Sequence, residues 1–169
     1  MLPRCPSLDR PFVRQFDTLY LPGLETLPLH RVCFEPAAFS PECFGAQGII
    51  LPASLQGAAP KRLGEFLAGR LAAREALRPF GLAGCSVAIG AAREPIWPEG
   101  VEGSISHSRL AGEGVALCAV RPGQEGIGLD LEAWLGTEQG SQLWPGIVDE
   151  DEWRRLGSGV GAVGLDRSR

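Results

Sequence analysis

Residues 94–132 read EPIWPEGVEGSISHSRLAGEGVALCAVRPGQEGIGLDLE, and this stretch contains three phrases that largely determine the predicted fold and function. The last phrase, GIGLDLE at 126–132, alternates apolar residues with glycines and carboxylates, which predicts a strand with one buried face. Asp130 and Glu132 fall on the other face, about 7 Å apart at the backbone. Two like charges at that spacing favour a counter-ion, and a hard divalent cation with oxygen ligands is suitable. The phrase therefore predicts a metal site.

A second phrase, GSISHS at 103–108, places a histidine among serines. On residue chemistry alone, His107 could be the base for a nucleophilic Ser104 or Ser106, with Asp130 orienting the ring. The glycine spacing of a nucleophile elbow is absent, which argues against such a hydrolase. An ordinary surface or turn histidine is the other interpretation that this phrase allows.

The segments around these phrases predict short strands. Residues 86–89 and 29–35 have strand-like composition, and 114–121 is apolar throughout, which is typical of a strand buried on both faces. Turn residues at 122–126 then predict a hairpin that pairs 114–121 with the strand at 126–132. In EPIWP, two prolines enclose Ile96 and Trp97 in a rigid extended segment.

One long helix is predicted between residues 60 and 78. Pro60 suits a first helical turn, and Pro79 with Gly81 ends the pattern. The buried stripe consists of apolar residues at helical spacing: Leu63, Phe66, Leu67, Leu71 and Leu77. By contrast, the sequence up to residue 28 is predicted to be an irregular leading segment, and 36–59 mostly loop.

Four basic residues of this helix lie where an anion would be favoured: Lys61 and Arg62 at its N-terminus, Arg70 and Arg74 within the apolar stripe. Cationic side chains oppose the dipole at a helix N-terminus, whereas the exposed backbone N–H groups there favour an anion. An arginine within an apolar stripe must extend to solvent or meet an anion. The alternative is that all four are solvated, with Glu65 and Glu75 as partners.

Composition excludes several classes of protein. The chain has 169 residues and a net charge of −4, which argues against a sequence-independent nucleic-acid binder. It has no apolar run long enough for a membrane span and no signal-peptide pattern, so we expect a cytoplasmic protein. Its five cysteines lack CxxC spacing, which fits neither a disulfide framework nor a zinc site.

Taken in order, the three phrases resemble those of the 4'-phosphopantetheinyl transferases, specifically the enterobactin synthase component D type. The resemblance covers roughly residues 30–156. It implies an α+β fold with two pseudo-symmetric lobes, in which small antiparallel sheets pack on helices. We expect an N-terminal lobe at 1–105, a partial C-terminal lobe with the metal-binding hairpin at 106–156, and a flexible tail at 157–169.

The resemblance also implies roles for individual residues. Asp130 and Glu132 would be the Mg2+ ligands and the catalytic pair. Coenzyme A would be bound by the basic helix, the Trp-Pro loop and the Ser-His phrase: Lys61, Arg62, Arg70, Glu94, Pro95, Ser106 and His107. In this scheme the basic residues, Ser106 and His107 meet the 3'-phosphate, the 94–95 backbone runs along the adenine, and Arg74 holds structure.

One family motif has no counterpart in the sequence. It is a helix with a Lys-Glu pair, whose glutamate completes the metal site or acts as base. At the corresponding distance the chain reads DEDEWRRL (149–156) and then a glycine-rich stretch. The second lobe is therefore expected to be incomplete.

The predicted function is Mg2+-dependent transfer of 4'-phosphopantetheine from coenzyme A to a serine of an apo acyl, peptidyl or aryl carrier protein. Siderophore, nonribosomal peptide or fatty acid synthesis would be served, by a monomer that binds no nucleic acid. Two alternatives stay open: a non-catalytic protein that binds coenzyme A or a carrier, and a metal-dependent phosphoester hydrolase.

Overall fold

The computed structural model describes residues 11–110, 112–123 and 126–133, and in addition 146, 147, 149, 151, 152 and 155. The chain divides into two compact units, Met1–Ala133 and Trp134–Arg169. In the second unit, Asp149 Oδ1 accepts hydrogen bonds from the backbone N–H groups of Asp151 and Glu152, each at 2.8 Å.

The described residues of the first unit form six strands and two α-helices. The strands are β1 (Val13–Leu19), β2 (Leu29–Phe34), β3 (Ala88–Ile89), β4 (Pro95–Ile96), β5 (Val101–Leu110) and β6 (Glu113–Pro122); the helices are α1 (Glu42–Gln47) and α2 (Pro60–Leu77). Short 3-10 turns lie at Pro36–Ala38, Ala53–Leu55 and Arg78–Phe80. No helix of the described residues is long and apolar enough to cross a membrane.

A four-stranded antiparallel sheet with the order β1-β2-β6-β5 forms the body of this unit. One of its two inner strands, β6, is apolar from Val115 to Val120 and buried on both faces, as the sequence predicted. Helix α2 packs on one face, so that the core lies between α2 and the alternate residues Ala116, Cys118 and Val120. A separate two-stranded ribbon pairs β3 with β4.

Helix α2 begins at Pro60 and ends one residue before the predicted boundary. Of the predicted stripe, four leucines are buried, whereas Phe66 is half-buried. Small residues bring the helix close to the sheet: a Cβ on Gly69 would lie 3.0 Å from Ile105 Cγ2 on β5. The sequence prediction of this helix is confirmed.

The predicted hairpin between 114–121 and 126–132 is wrong. Strand β6 pairs with β2 on one side and β5 on the other, so neither of its edges is available. Residues 126–133 form no strand but run beside β5. The hydroxyls of two serines on β5 accept hydrogen bonds from two backbone N–H groups of this segment. The alternation predicted from the phrase is nevertheless present, because Ile127, Leu129 and Leu131 are half-buried while Asp130 and Glu132 are exposed.

The sequence prediction missed four elements: β1, α1, β4 and β5. No strand was predicted over 101–110, where β5 carries the GSISHS phrase, and β4 lies in a segment predicted only to be extended. Strand β1 lies in the segment predicted to be irregular, and α1 lies in the segment predicted to be mostly loop. β1 is an edge strand of mixed composition in which Phe16 is 44% exposed, so it lacks the apolar alternation that marks a half-buried strand. α1 has only six residues, too few to show a helical period.

The coarse fold class, α+β, is confirmed by a helix packed on an antiparallel sheet. The two pseudo-symmetric lobes stay a prediction. So do the domain divisions: the predicted boundary at 105/106 falls within β5, and the predicted tail at 157–169 lies outside the described residues.

Gly103 provides a test of the packing beneath the GSISHS phrase. A Cβ at this position would lie 2.7 Å from Trp97 Cζ2 and 2.8 Å from the carbonyl oxygen of Ala119. We expect Gly103→Ala to lower the free energy of unfolding by about 1–3 kcal/mol, because the ring and β6 must move. Urea unfolding followed by tryptophan fluorescence measures this.

Gly45→Ala in α1 is the matched control, since a Cβ at this position would have nothing within 4 Å of it. It should be neutral, or stabilising by about 0.5–1 kcal/mol. Equal effects of the two substitutions would contradict the close packing of Trp97 on Gly103.

Candidate functional site

The residues predicted to bind a ligand lie on three parts of the first unit. Lys61, Arg62 and Arg70 belong to α2; Glu94 and Pro95 belong to the β3–β4 ribbon; Ser106 and His107 belong to β5, and Asp130 and Glu132 to the segment 126–133 beside it. The structure brings some of these together directly and separates others.

At the N-terminal end of α2, Glu65 links two of the predicted residues. Its carboxylate lies 3.9 Å from Lys61 Nζ and 3.9 Å from His107 Nδ1. The sequence indicated Glu65 as a partner for the basic residues but not its place beside His107. Lys61 remains 71% exposed in this arrangement, and Arg62 is exposed as well, so both cations are accessible to an anionic ligand.

The first turn of α2 adds backbone donors to these side chains. The N-cap residue, Ala59, offers no side-chain hydrogen bond to the helix, and Pro60 follows it. N–H groups at a helix N-terminus that lack a side-chain cap can serve an anion. Cationic side chains and the helix end thus favour a negative charge in the same place.

Arg70 is a half-buried cation. Its guanidinium lies over the Phe66 ring, 4.5 Å from the centroid, and Nη2 donates to the carbonyl oxygen of Ala88 at 3.2 Å. Its Nε is buried and has no hydrogen-bond partner among the described residues. Burial lowers the pKa of Arg70 to about 10, which leaves it charged at neutral pH.

A cleft of about 560 Å³ opens beside Arg70. Its walls come from α2, from the segment 83–89 that leads into β3, and from the segment 48–54 after α1. Ile50 at the rim is 79% exposed. The cleft therefore combines apolar walls with a cation, a combination that suits an organic ligand with a negatively charged group.

Arg74, one turn further along α2, has a different environment. Its Nη1 donates to the backbone carbonyl oxygen of Gln47 at 2.7 Å, which ties α2 to the end of α1. Its Nε also lies 3.8 Å from Glu75 Oε1. These contacts agree with the structural role predicted for Arg74.

The ribbon carries Glu94 and Pro95 opposite β3, with Pro95 paired to Ile89. A five-residue connection, 90–94, joins the strands, and Arg93 within it adopts a left-handed conformation at φ 69° that favours glycine. The carboxylate of Glu94 folds over Gly90, in the place that a side chain there would need. Since β3 receives the hydrogen bond from Arg70, the ribbon and the cleft share a wall.

Ser106 and His107 point to opposite faces of β5, as neighbours on a strand do. His107 faces Glu65 on α2, whereas Ser106 Oγ accepts from the Leu131 N–H at 3.0 Å and lies 3.3 Å from Asp130 Oδ1. The structure therefore joins Ser106 to Asp130 and not to His107. Among the described contacts there is no Ser–His pair, so the serine hydrolase interpretation gains no support.

Asp130 and Glu132 are both exposed on the segment 126–133. One oxygen of Asp130, Oδ1, also accepts from the Leu131 N–H at 3.0 Å. Within the described residues, no group of three or more His, Cys, Asp or Glu side chains is placed to hold a metal ion. Two carboxylates fit a cation such as Mg2+, which commonly takes its other ligands from water and substrate phosphates.

Comparison with known proteins gives the chain a family context. Residues 51–121 match the model of the 4'-phosphopantetheinyl transferase N-terminal domain. The chain is 40% identical over 130 residues to enterobactin synthase component D of Escherichia coli strain K12, which covers 76% of this chain and 58% of that protein. It is 39% identical over 98 residues to the protein of the same name from Salmonella typhi, covering 58% and 39% of the two chains.

A relative with a different name is also similar. The 4'-phosphopantetheinyl transferase Svp of Streptomyces mobaraensis is 35% identical over 97 residues, which covers 57% of this chain and 38% of that protein. The chain thus spans little more than half the length of the Escherichia coli proteins that it matches.

Arg70 and Arg74 form a matched pair for a stability test. We expect Arg70→Met to change the free energy of unfolding by less than about 1 kcal/mol. The reason is that removing a half-buried cation, which has no carboxylate partner among the described residues, offsets the loss of its bond to Ala88. Arg74→Met should lower the free energy of unfolding by about 1–3 kcal/mol, since the Gln47 carbonyl loses its donor. Urea unfolding of both variants makes the comparison, and an equal loss would show that Arg70 is a structural clamp.

Proposed function

Because this chain belongs to the 4'-phosphopantetheinyl transferase family, of the enterobactin synthase component D type, we propose that it transfers 4'-phosphopantetheine from coenzyme A to a serine of an apo carrier protein. The observation that carries the proposal is the Ser106–Asp130 contact at 3.3 Å. It joins β5, which contains the GSISHS phrase, to the segment 126–133, called below the carboxylate segment because it contains Asp130 and Glu132. The carrier would be an acyl, peptidyl or aryl carrier of siderophore, nonribosomal peptide or fatty acid synthesis. A cytoplasmic monomer is part of the proposal.

Coenzyme A would be held mainly through its negative charge. Lys61, Arg62 and the first turn of α2 favour an anion at one end, and His107 faces the same helix from β5. The half-buried guanidinium of Arg70 adds a cation that no carboxylate of the described residues neutralises. A phosphate on these groups would make charge-assisted hydrogen bonds, which are stronger than neutral ones.

The ribbon would accept the uncharged part of the nucleotide. Glu94 and Pro95 lie where β4 begins, and their backbone would run along the adenine. The neighbouring cleft has mostly apolar walls, which suit a flat ring or an aliphatic chain.

Asp130 and Glu132 would hold Mg2+ on the pyrophosphate of coenzyme A. Bound there, the ion would neutralise the phosphate charge that develops during transfer. The chain's own part is to present the two carboxylates on one side of the segment 126–133, with Oδ1 of Asp130 held by Ser106 and by the Leu131 N–H. In the transfer, the serine oxygen of the carrier forms a bond to the β-phosphorus, the bond to 3',5'-ADP breaks, and the serine proton is released.

A second function, binding of coenzyme A or a carrier without transfer, is favoured by one observation. The described residues bring together two carboxylates at this segment and not three. The test must therefore separate binding from transfer.

Intact-mass spectrometry of an apo carrier protein, incubated with coenzyme A, Mg2+ and this chain, makes that separation. We expect the carrier to gain one phosphopantetheine, and EDTA to abolish the gain. Asp130→Asn should slow transfer by about 100-fold or more, because an electrostatic group at the reacting phosphates is lost. Glu99→Gln, which removes an exposed carboxylate outside the site, is the control and should leave the rate unchanged.

Calorimetry with coenzyme A completes the experiment. Tight binding without any mass gain would replace the transferase proposal with the binding function. Neither binding nor transfer would overturn both.

A further inference from the structure

The side-chain hydroxyl of Ser104 contacts the backbone of the segment 126–133, which carries Asp130 and Glu132. The Leu129 N–H donates to Ser104 Oγ at 3.0 Å, and the Leu131 N–H donates to Ser106 Oγ at 3.0 Å. Both serines lie on the face of β5 opposite to His107, two residues apart, and both amides are two residues apart on the facing segment. The repeat of an extended chain, about 7 Å over two residues, is the same on both sides.

These two bonds replace the backbone ladder that the segment lacks. Residues 126–133 form no strand, although their half-buried and exposed residues alternate like those of a strand. Side-chain oxygens of β5 therefore do what carbonyl oxygens would do in a sheet. Two hydroxyls of β5 thus accept from two backbone N–H groups of the segment, and the Leu131 N–H is shared with Asp130 Oδ1 at 3.0 Å.

We propose that Ser104 is a positioning residue for the Asp130–Glu132 pair: together with Ser106 it fixes the register of the segment and so the direction of both carboxylates. Ser106 acts on Asp130 directly as well, through the contact at 3.3 Å. Ser104 touches neither carboxylate and acts only through the Leu129 N–H. The inference rests on the proposed function in so far as the pair holds a divalent cation.

The expected loss of metal affinity can be judged from metal sites in general, in which residues behind the metal ligands hold those ligands in place. Removal of a group that orients a metal ligand typically weakens metal affinity by about 10–100-fold. Ser104 acts one bond further away, so we expect a smaller loss, about 3–10-fold, on Ser104→Ala.

The test compares Ser104→Ala, Ser104→Thr and Ser108→Ala in the full chain. Ser108 lies on the same face of β5, four residues further on, and serves as the matched control. Two quantities are measured: the hydrogen-exchange rate of the Leu129 amide by NMR, and the dissociation constant for Mn2+ by electron paramagnetic resonance. Neither needs transferase activity.

In the wild-type protein the Leu129 amide should be protected despite the absence of a ladder. Ser104→Ala should speed the exchange of the Leu129 amide by about fivefold, because the loss of one ordinary hydrogen bond shifts the local opening equilibrium by about that factor. It should also weaken Mn2+ binding. Ser104→Thr, which keeps a hydroxyl, should restore both, and Ser108→Ala should change neither.

Three outcomes would overturn the inference. An unprotected Leu129 amide in the wild-type protein would show that the bond is not formed. Faster exchange in Ser104→Ala with unchanged Mn2+ affinity would reduce Ser104 to a tether without influence on the carboxylates. A wild-type chain that binds no Mn2+ would overturn both the metal site of the proposed function and this inference. The first two outcomes overturn the inference alone, so the two failures can be distinguished.

Discussion

The close packing of α2 on the sheet is the constraint on which the site depends. Small residues line the contact, and a Cβ added at Gly69 would lie 3.0 Å from Ile105 Cγ2. Because the helix lies so near β5 and β6, side chains that leave its packed face have little room. Glu65 is directed to His107, and Arg70 to the wall formed by β3. The helix thus contributes both to the core of the unit and to the candidate anion site, for which it supplies Lys61, Arg62 and Arg70.

A cation near such a core is costly, and Arg70 shows how the cost is reduced without being removed. Its guanidinium lies on Phe66 and donates to Ala88, while Nε has no partner among the described residues. Arg74 is similarly half-buried, yet its contact with the Gln47 carbonyl serves the fold itself. A site that binds anions needs incompletely satisfied cations, and a stable core does not. On this one helix, Arg70 therefore meets the requirement of an anion site, and Arg74 meets that of a stable core.

Strand β5 connects the two halves of the proposed chemistry because its side chains alternate. One face directs His107 toward the cationic end of α2, and the other directs the hydroxyls of Ser104 and Ser106 toward the carboxylate segment. Under the proposed function, β5 would therefore place a nucleotide phosphate on one face and the metal-binding segment 126–133 on the other. In phosphoryl transfer, positioning and charge neutralisation supply most of the catalysis, and this is the use that the proposed function gives to the arrangement. Gly103, the first residue of GSISHS, is explained by packing, since Trp97 lies against it and leaves no room for a side chain.

The sequence by itself determined the features that depend on local pattern. These are helix α2, the buried strand β6, and the alternation that leaves Asp130 and Glu132 exposed, each of which can be read from residues close in sequence. The tertiary structure decided which segments pair. Residues 126–132 follow β6 directly, yet β2 and β5 occupy both edges of that strand, so the expected hairpin gives way to a segment held by serine hydroxyls. Strand pairing is a competition between distant parts of the chain for the same backbone groups, and no local pattern records its outcome.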